Sequence, residues 1–257
     1  MLLCPVRECG LKLVREGSRV VCANGHSFDV ARSGYINLLQ PQDRRSKEPG
    51  DTVAAVEARR RLHDRGVTAP LLRAIAELAQ LSGGDELLDA GCGEGFYAGN
   101  LARESGARAH GLDISIPAIK AAARRYPESE WIVANADRFV PYEDGAFSMV
   151  VSITGRMNED EFRRVLRADG LLLVAVAAPD DFVELRGAGR DRVDRTVETF
   201  GRRFELREQR RVTTVAELDA AGVQDVRHAI YRPVQRGAAE GMRVTLSLDL
   251  LLFGVRR

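Results

Sequence analysis

From residue 67 onward, apolar positions along the chain switch between two spacings. Leu71, Leu72, Ile75, Leu78 and Leu81 recur at helical intervals and predict a helix with one buried face, ended by Gly83-Gly84-Asp85. Short apolar runs at 86–90, 107–112, 130–134, 146–153 and 170–177 predict strands, and the stretches 96–104, 115–126 and 159–167 between them predict helices. The tail predicts a strand at 204–213, a short helix near 215–221, and strands at 226–232 and 243–255. Strand and helix in turn specify an α/β fold with a doubly wound, mostly parallel sheet. Such sheets bind ligands at the carboxyl ends of their strands, so candidate site residues are sought there.

The run Leu87-Leu88-Asp89-Ala90 ends in Gly91-Cys92-Gly93-Glu94-Gly95 and then opens a helix at Phe96-Tyr97. Strand, tight glycine turn and helix start form a cradle where a ligand can approach the main chain. The G-x-G-x-G spacing differs from the G-x-G-x-x-G dinucleotide fingerprint, which argues against a nicotinamide dehydrogenase. The next strand ends in His110-Gly111-Leu112-Asp113, and Asp113 is placed to grip a ribose. Cys92 reads as a small residue in the turn.

The first 38 residues follow another logic. Cys4 and Cys9 form one pair, Cys22 and His26 another, and predicted strands Leu11 to Val14 and Arg19 to Val21 flank Glu16-Gly17-Ser18 between them. A hairpin would gather three thiolates and one imidazole into a closed tetrahedral zinc site, hence a structural metal. Four cysteines in 257 residues suit metal ligands or core thiols better than a disulfide framework.

The D-x-G-x-G-x-G turn with the Gly-Leu-Asp after it resembles the Rossmann-like class I S-adenosylmethionine-dependent methyltransferases. More of the chain narrows the resemblance. The Cys/Cys/Cys/His knuckle is followed by Phe28-Asp29-Val30-Ala31 and Gly34-Tyr35-Ile36-Asn37-Leu38-Leu39. Arg45-Ser46 with Pro49-Gly50-Asp51, then Ala58-Arg59-Arg60, and Ala118 to Ala123 complete it. These segments resemble the ribosomal RNA large-subunit guanine-N1 methyltransferase A family, which includes tylosin-resistance members. The resemblance implies S-adenosylmethionine and structural zinc as cofactors and a large-subunit ribosomal RNA hairpin as partner. It also implies a homodimer with active sites facing a shared cleft. Cofactor-binding residues expected from it are Asp89, Gly91, Gly93, Glu94, Gly95, Asp113, Ile114, Asn135 and Ala136. Asn135 would sit beside the adenine, or simply form a turn. The expected domains are a zinc ribbon at 1–38, a basic linker and helix at 39–66, and a methyltransferase domain at 67–257.

Departures from the family fall on the substrate side. Its R-x-Y-A-P-like segment is replaced by Ser152-Ile153-Thr154-Gly155-Arg156-Met157-Asn158, and Thr68 stands where relatives hold the cofactor with an aromatic residue. After the fifth strand, Pro179 to Leu185 keeps Pro and Glu-Leu but has Asp181 in place of a histidine. Guanine N1 carries a proton that must leave, and Asp181 is the candidate to take it, or else a helix N-cap. Altered loops leave two alternatives open: a small-molecule or other RNA acceptor, or a catalytically silent RNA-binding relative.

Charge adds little by its sum: Lys+Arg 38 against Asp+Glu 37 gives +1. Two local excesses stand out. Seven basic residues (44, 45, 47, 59, 60, 61, 65) face four acids in 44–65, and nine arginines face five acids in 186–211. Each reads either as a phosphate-binding stripe or as a salt-bridged surface. The start, MLLCPVREC, is too short and charged for a signal peptide, and no run approaches the roughly 18 apolar residues of a membrane span. The expectation is a cytoplasmic protein without membrane partners.

Overall fold

The structure is a computed structural model describing residues 1–43, 49–230 and 240–256. Arg44, Arg45, Ser46, Lys47 and Glu48 lie outside the described residues. Five parallel strands form the centre of the main sheet: β5 (Glu86–Ala90), β6 (Arg108–Asp113), β7 (Glu130–Val133), β8 (Phe147–Ile153) and β9 (Leu166–Ala177). Their runs are apolar on both faces because helices cover both. Helices α2 (Ala69–Ala79), α3 (Phe96–Ser105) and α4 (Ile116–Arg125) cover one face; α5 (Glu159–Val165) and α7 (Val193–Phe200) cover the other. Two antiparallel strands, β10 (Phe204–Leu218) and β11 (Met242–Val255), close one side. Among the described residues the order is β10-β11-β9-β8-β5-β6-β7-β4, where β4 (Ile36–Asn37) is a short strand from the N-terminal segment, parallel to β7.

The N-terminal ribbon contains β1 (Val14–Glu16), β2 (Arg19–Val21) and β3 (Ser27–Asp29), an antiparallel three-stranded sheet. It is sewn to the main sheet. Leu2 bridges to Tyr142, the Leu38 N–H donates to the Val133 carbonyl, and Lys12 pairs with Glu143. Leu2, Leu13, Val20, Ile36 and Leu38 share one buried cluster with Leu88, Leu112, Ile132 and Val150. A ribbon too small for its own core thus borrows the sheet's.

The predicted order holds from 86 to 177, and the tail is corrected. β10 runs on to Leu218, where a helix is expected from 215. The helix α8 (Ala220–Ala229) stands where the strand at 226–232 is expected to begin; residues 231 and 232 lie outside the described residues. Two local causes are visible. Asp219 caps α8 by accepting the Gly222 N–H at 2.7 Å. Val223 and Val226, at helical spacing, pack on Leu62, Leu218 and Val244. That small cluster also joins α1 (Val53–Asp64) and α6 (Val183–Arg186) to the carboxyl end of the sheet.

Candidate functional site

Three consecutive parallel strands, β5, β6 and β7, deliver Asp89, Asp113 and Asn135 to one end of the sheet. Between them the glycine turn is held tightly. The N–H groups of Gly91 and Cys92 both donate to the Leu112 carbonyl, at 2.7 and 3.1 Å. Asp113 accepts the Gly93 N–H at 3.0 Å on one oxygen and the Ser115 N–H at 2.8 Å on the other. The acid on the second strand is therefore fixed by the turn on the first. Burial is the main force pushing its carboxyl above the ordinary range.

The glycines are there for space as well as for conformation. Gly95 has φ +77°, and a Cβ on it or on Gly111 would collide with the Trp131 indole. Trp131 is buried beneath the turn and donates its Nε1–H to the Tyr126 carbonyl at 2.8 Å. One aromatic floor thus dictates two glycines on neighbouring elements.

Asp89 is 1% exposed, and neither carboxylate oxygen has a hydrogen-bond partner. Burial first, and the negative charge of Asp113 second, push it up to about 8. A buried, unpartnered carboxylate in a ligand cradle calls for a cation. The ammonium of S-adenosylmethionine's amino-acid part fits that demand, and the Asp113 end of the turn suits its ribose. Ile114 is half-buried beside it. Asn135 uses its side-chain oxygen to accept the Asp137 N–H at 3.1 Å, and the Ala136 carbonyl accepts from Asn158 Nδ2.

Glu94 lies in the glycine turn with its side chain engaged by α1. Its carboxylate turns towards α1, where His63 Nε2 lies 2.9 Å from one oxygen and Arg59 Nη1 lies 3.4 Å from the other. Burial opposes its ionisation, but His63 and Arg59 outweigh burial and hold the carboxyl below its usual range. Arg59 also donates to Asp51 at 2.7 Å, and His63 stacks on Phe96 and meets the Thr68 hydroxyl at 2.6 Å. Thr68, at the position of the family's aromatic residue, is thereby committed to α1. In the sequence Arg59 belongs to a stretch that reads either as a phosphate-binding stripe or as a salt-bridged surface, and His63 does not stand out. Arg59 and Glu94 are 35 residues apart in the chain, so no local pattern announces their contact.

Asp181 follows β9. It accepts the Ser247 N–H at 3.0 Å and pairs with Arg186, so both oxygens are engaged; burial raises its carboxyl to about 6. It does not cap α6, whose first turn is preceded by Phe182. The basic stretches are largely neutralised by local acids. Arg59, Arg60, Arg61 and Arg65 pair with Asp51 and Glu94, Asp64, Asp225 and Asp219. Arg186, Arg202, Arg203, Arg210 and Arg211 are similarly paired. Of the nine arginines in 186–211, Arg190, Arg195 and Arg207 have no ion pair among the described residues.

In the ribbon, Cys4, Cys9, Cys22 and His26 place four ligand atoms within 4.8 Å of one another. The Cys9 and Cys22 sulfurs are 3.8 Å apart, and His26 Nδ1 is 3.4 Å from the sulfurs of both Cys4 and Cys22. Tetrahedral zinc with ordinary bond lengths requires about 3.8 Å between sulfurs and about 3.5 Å from sulfur to nitrogen. The cluster fits a closed structural zinc site.

Comparison with known proteins finds relatives of both parts of the chain. Residues 2–47 match the family described as RlmA, N-terminal, and residues 87–170 match the methyltransferase domain family. The chain is 36% identical over 229 residues to the 23S rRNA (guanine(748)-N(1))-methyltransferase of Streptomyces fradiae, covering 85% of this chain and 80% of that one. It is 34% identical over 195 residues to YxjB of Bacillus subtilis, whose name gives a 23S rRNA guanine-N1 reaction, covering 72% and 67%. Among solved structures, a methyltransferase from Bacillus halodurans shares the fold at TM-score 0.51 and 16% identity, over 71% of this chain and 97% of that one. A chain from a complex of the Haloferax volcanii Trm112 activator with a methyltransferase reaches TM-score 0.55 at 18% identity, over 80% and 98%. Zinc ribbon, glycine turn and similarity over 85% of the chain together show that it belongs to the family of S-adenosylmethionine-dependent 23S rRNA guanine-N1 methyltransferases.

Proposed function

We propose that this protein transfers a methyl group from S-adenosylmethionine to N1 of a guanine in a hairpin of large-subunit ribosomal RNA. The observation that carries this reading is the similarity to relatives named for that reaction, joined by an RlmA N-terminal match at residues 2–47 and a methyltransferase-domain match at residues 87–170. The cofactor supplies an activated methyl group on a sulfonium. The protein's residues bind, orient and exclude water. Asp89 holds the ammonium and Asp113 the ribose. The main chain of Gly91, Gly93, Glu94 and Gly95 lines the approach, while Ile114, Asn135 and Ala136 flank the adenine. Guanine N1 is hidden in a base pair, so the target base must be unpaired or flipped out.

Asp181 is the proposed acceptor for the N1 proton. Its elevated carboxyl value suits it to proton exchange near neutral pH, and to act it must let go of Arg186. A homodimer with the two sites facing one cleft belongs to the same reading, as does a cytoplasmic location where ribosomal RNA is found. No described helix is long and apolar enough to cross a membrane.

Labelled S-adenosylmethionine and unmodified large-subunit ribosomal RNA test the proposal, with the label mapped by nucleoside mass spectrometry. The expected product is 1-methylguanosine; cofactor binding with no label in RNA overturns the reading. In the same assay Asp181→Asn is expected to lower turnover by about tenfold to a hundredfold while cofactor affinity stays put. Unchanged turnover removes Asp181 from the chemistry.

A further inference from the structure

Two of the zinc ligands and the end of β7 meet in one buried cluster. Cys4 and Cys22 share it with Ala134 and Ala136, the residues on either side of Asn135. Main-chain hydrogen bonds also run from one site to the other. Cys22 directly follows β2, His26 directly precedes β3, and the two strands are paired. The chain after β3 continues to Val30, which bridges to Ile36 in β4. β4 is the outermost strand of the main sheet on that side, paired with β7 through Ile36–Ile132 and Asn37–Val133. The Leu38 N–H adds a bond to the Val133 carbonyl at 2.9 Å. Past that carbonyl, β7 becomes the Ala134-Asn135-Ala136 segment.

Leu38 and Leu39 straddle this sheet edge. Leu38 is buried in the cluster of the zinc ligands. Leu39 is buried in the cluster on the opposite face, against which Ile114 packs. Two residues past the Asn37–Val133 pair, the two strands carry Leu39 and Asn135. The segment is braced by its own side chains: Asn37 Oδ1 accepts the Leu39 N–H at 3.2 Å, and Gln40 Nε2 donates to the Leu38 carbonyl at 2.9 Å. A strand of two residues makes few ladder bonds, so its place at the edge depends on what anchors it. On the ribbon side that anchor is the Cys/His knuckle.

We propose that zinc governs cofactor affinity: the closed knuckle holds β4 against β7, and Leu39 thereby props the adenine side of the site at Ile114 and Asn135. Leu39 is a positioning residue, and the metal does more than fold the ribbon. The coupling presupposes adenine beside Asn135, as in the reading above. Such coupling is reciprocal, so the cofactor tightens zinc by the factor by which zinc tightens the cofactor. The test measures S-adenosylmethionine affinity of the full chain by calorimetry, with zinc content checked by elemental analysis. Zinc-loaded Leu39→Ala should bind the cofactor about tenfold more weakly while keeping its zinc, and Leu39→Met should recover most of the loss. In the cold, protein stripped of zinc should also lose about tenfold in affinity while hydrogen exchange shows β5 and β8 still protected. Conversely, saturating S-adenosylhomocysteine should tighten the parent's hold on zinc against a competing chelator by a similar factor, and by less in Leu39→Ala. Parent-like cofactor affinity in zinc-loaded Leu39→Ala overturns the proposal, as does parent-like affinity in the stripped, folded protein. Stripped protein whose β5 and β8 exchange freely has unfolded, and the two Leu39 variants then decide alone. Parent-like affinity in Asn135→Ala defeats the adenine placement instead, and the chelator competition still decides the coupling.

Discussion

Cys22→Ser is expected to destabilise the whole protein, not the ribbon alone. Cys22 lies 3.8 Å from the Cys9 sulfur and 3.4 Å from His26 Nδ1, and its loss opens the tetrahedron. Structural zinc contributes on the order of 10 kcal/mol to small modules, comparable with the net stability of about 5–15 kcal/mol of a whole domain. Here the released strain has somewhere to travel. The ribbon's Val20 and Cys22 lie in the same buried cluster as Ile132 and Val150, and β4 forms the edge of the main sheet beside β7. Cys22→Ser, or chelation of the native protein, should therefore lower the thermal midpoint by about 10 °C or more in one transition. Hydrogen exchange should quicken in Glu130–Val133 together with the ribbon. Exchange confined to residues 1–38, with β7 still protected, would show instead that the ribbon is an independent domain ending there.

The legibility of this chain follows the range of the forces that shape it. β5, the glycine turn and β6 are written locally, in apolar runs, a fixed glycine spacing and a terminal acid, and the structure places them where the spacing predicts. The zinc ligands are equally legible because a metal needs donor types at short intervals. What the sequence hides is set by partners distant in the chain. Gly111 is legible only as part of the Gly-Leu-Asp pattern, and its physical reason is hidden: the Trp131 ring leaves no room for a Cβ there. Arg59 and Arg61 read as a phosphate stripe or a salt-bridged surface, and only Glu94 and Asp225, arriving from far along the chain, decide for the second. The tail helix α8 is misread for a similar reason. Val223 and Val226 acquire meaning only when Leu62 and Val244 are present to receive them.

S-adenosylmethionine affinity is expected to rise with pH between about 6 and 8 and then level off, and Asp89 is the cause. In the free protein burial and the neighbouring charge of Asp113 hold this carboxyl at about 8, so at pH 6 it carries a proton. An ammonium ligand prefers the ionised form, so binding must expel that proton. Affinity then climbs by up to about tenfold per pH unit while the free carboxyl is protonated and the bound one is not. Above about pH 8 the free carboxyl is already ionised and the ligand's own amine begins to lose its proton, so the gain ends. Calorimetry in buffers of different ionisation enthalpy reads the proton directly: near pH 6.5 about one should be released per cofactor bound. Asp89→Asn removes both the charge and the titration. It leaves the ammonium facing an amide in a buried site, a loss of roughly 3 kcal/mol or on the order of a hundredfold in affinity. Its remaining affinity should be nearly flat across the same range. A parent protein whose affinity ignores pH and whose binding releases no proton would place the ammonium elsewhere in the cradle. Asp89 would then be a structural acid of the turn, buried neutral under the main chain of Gly91 to Gly95.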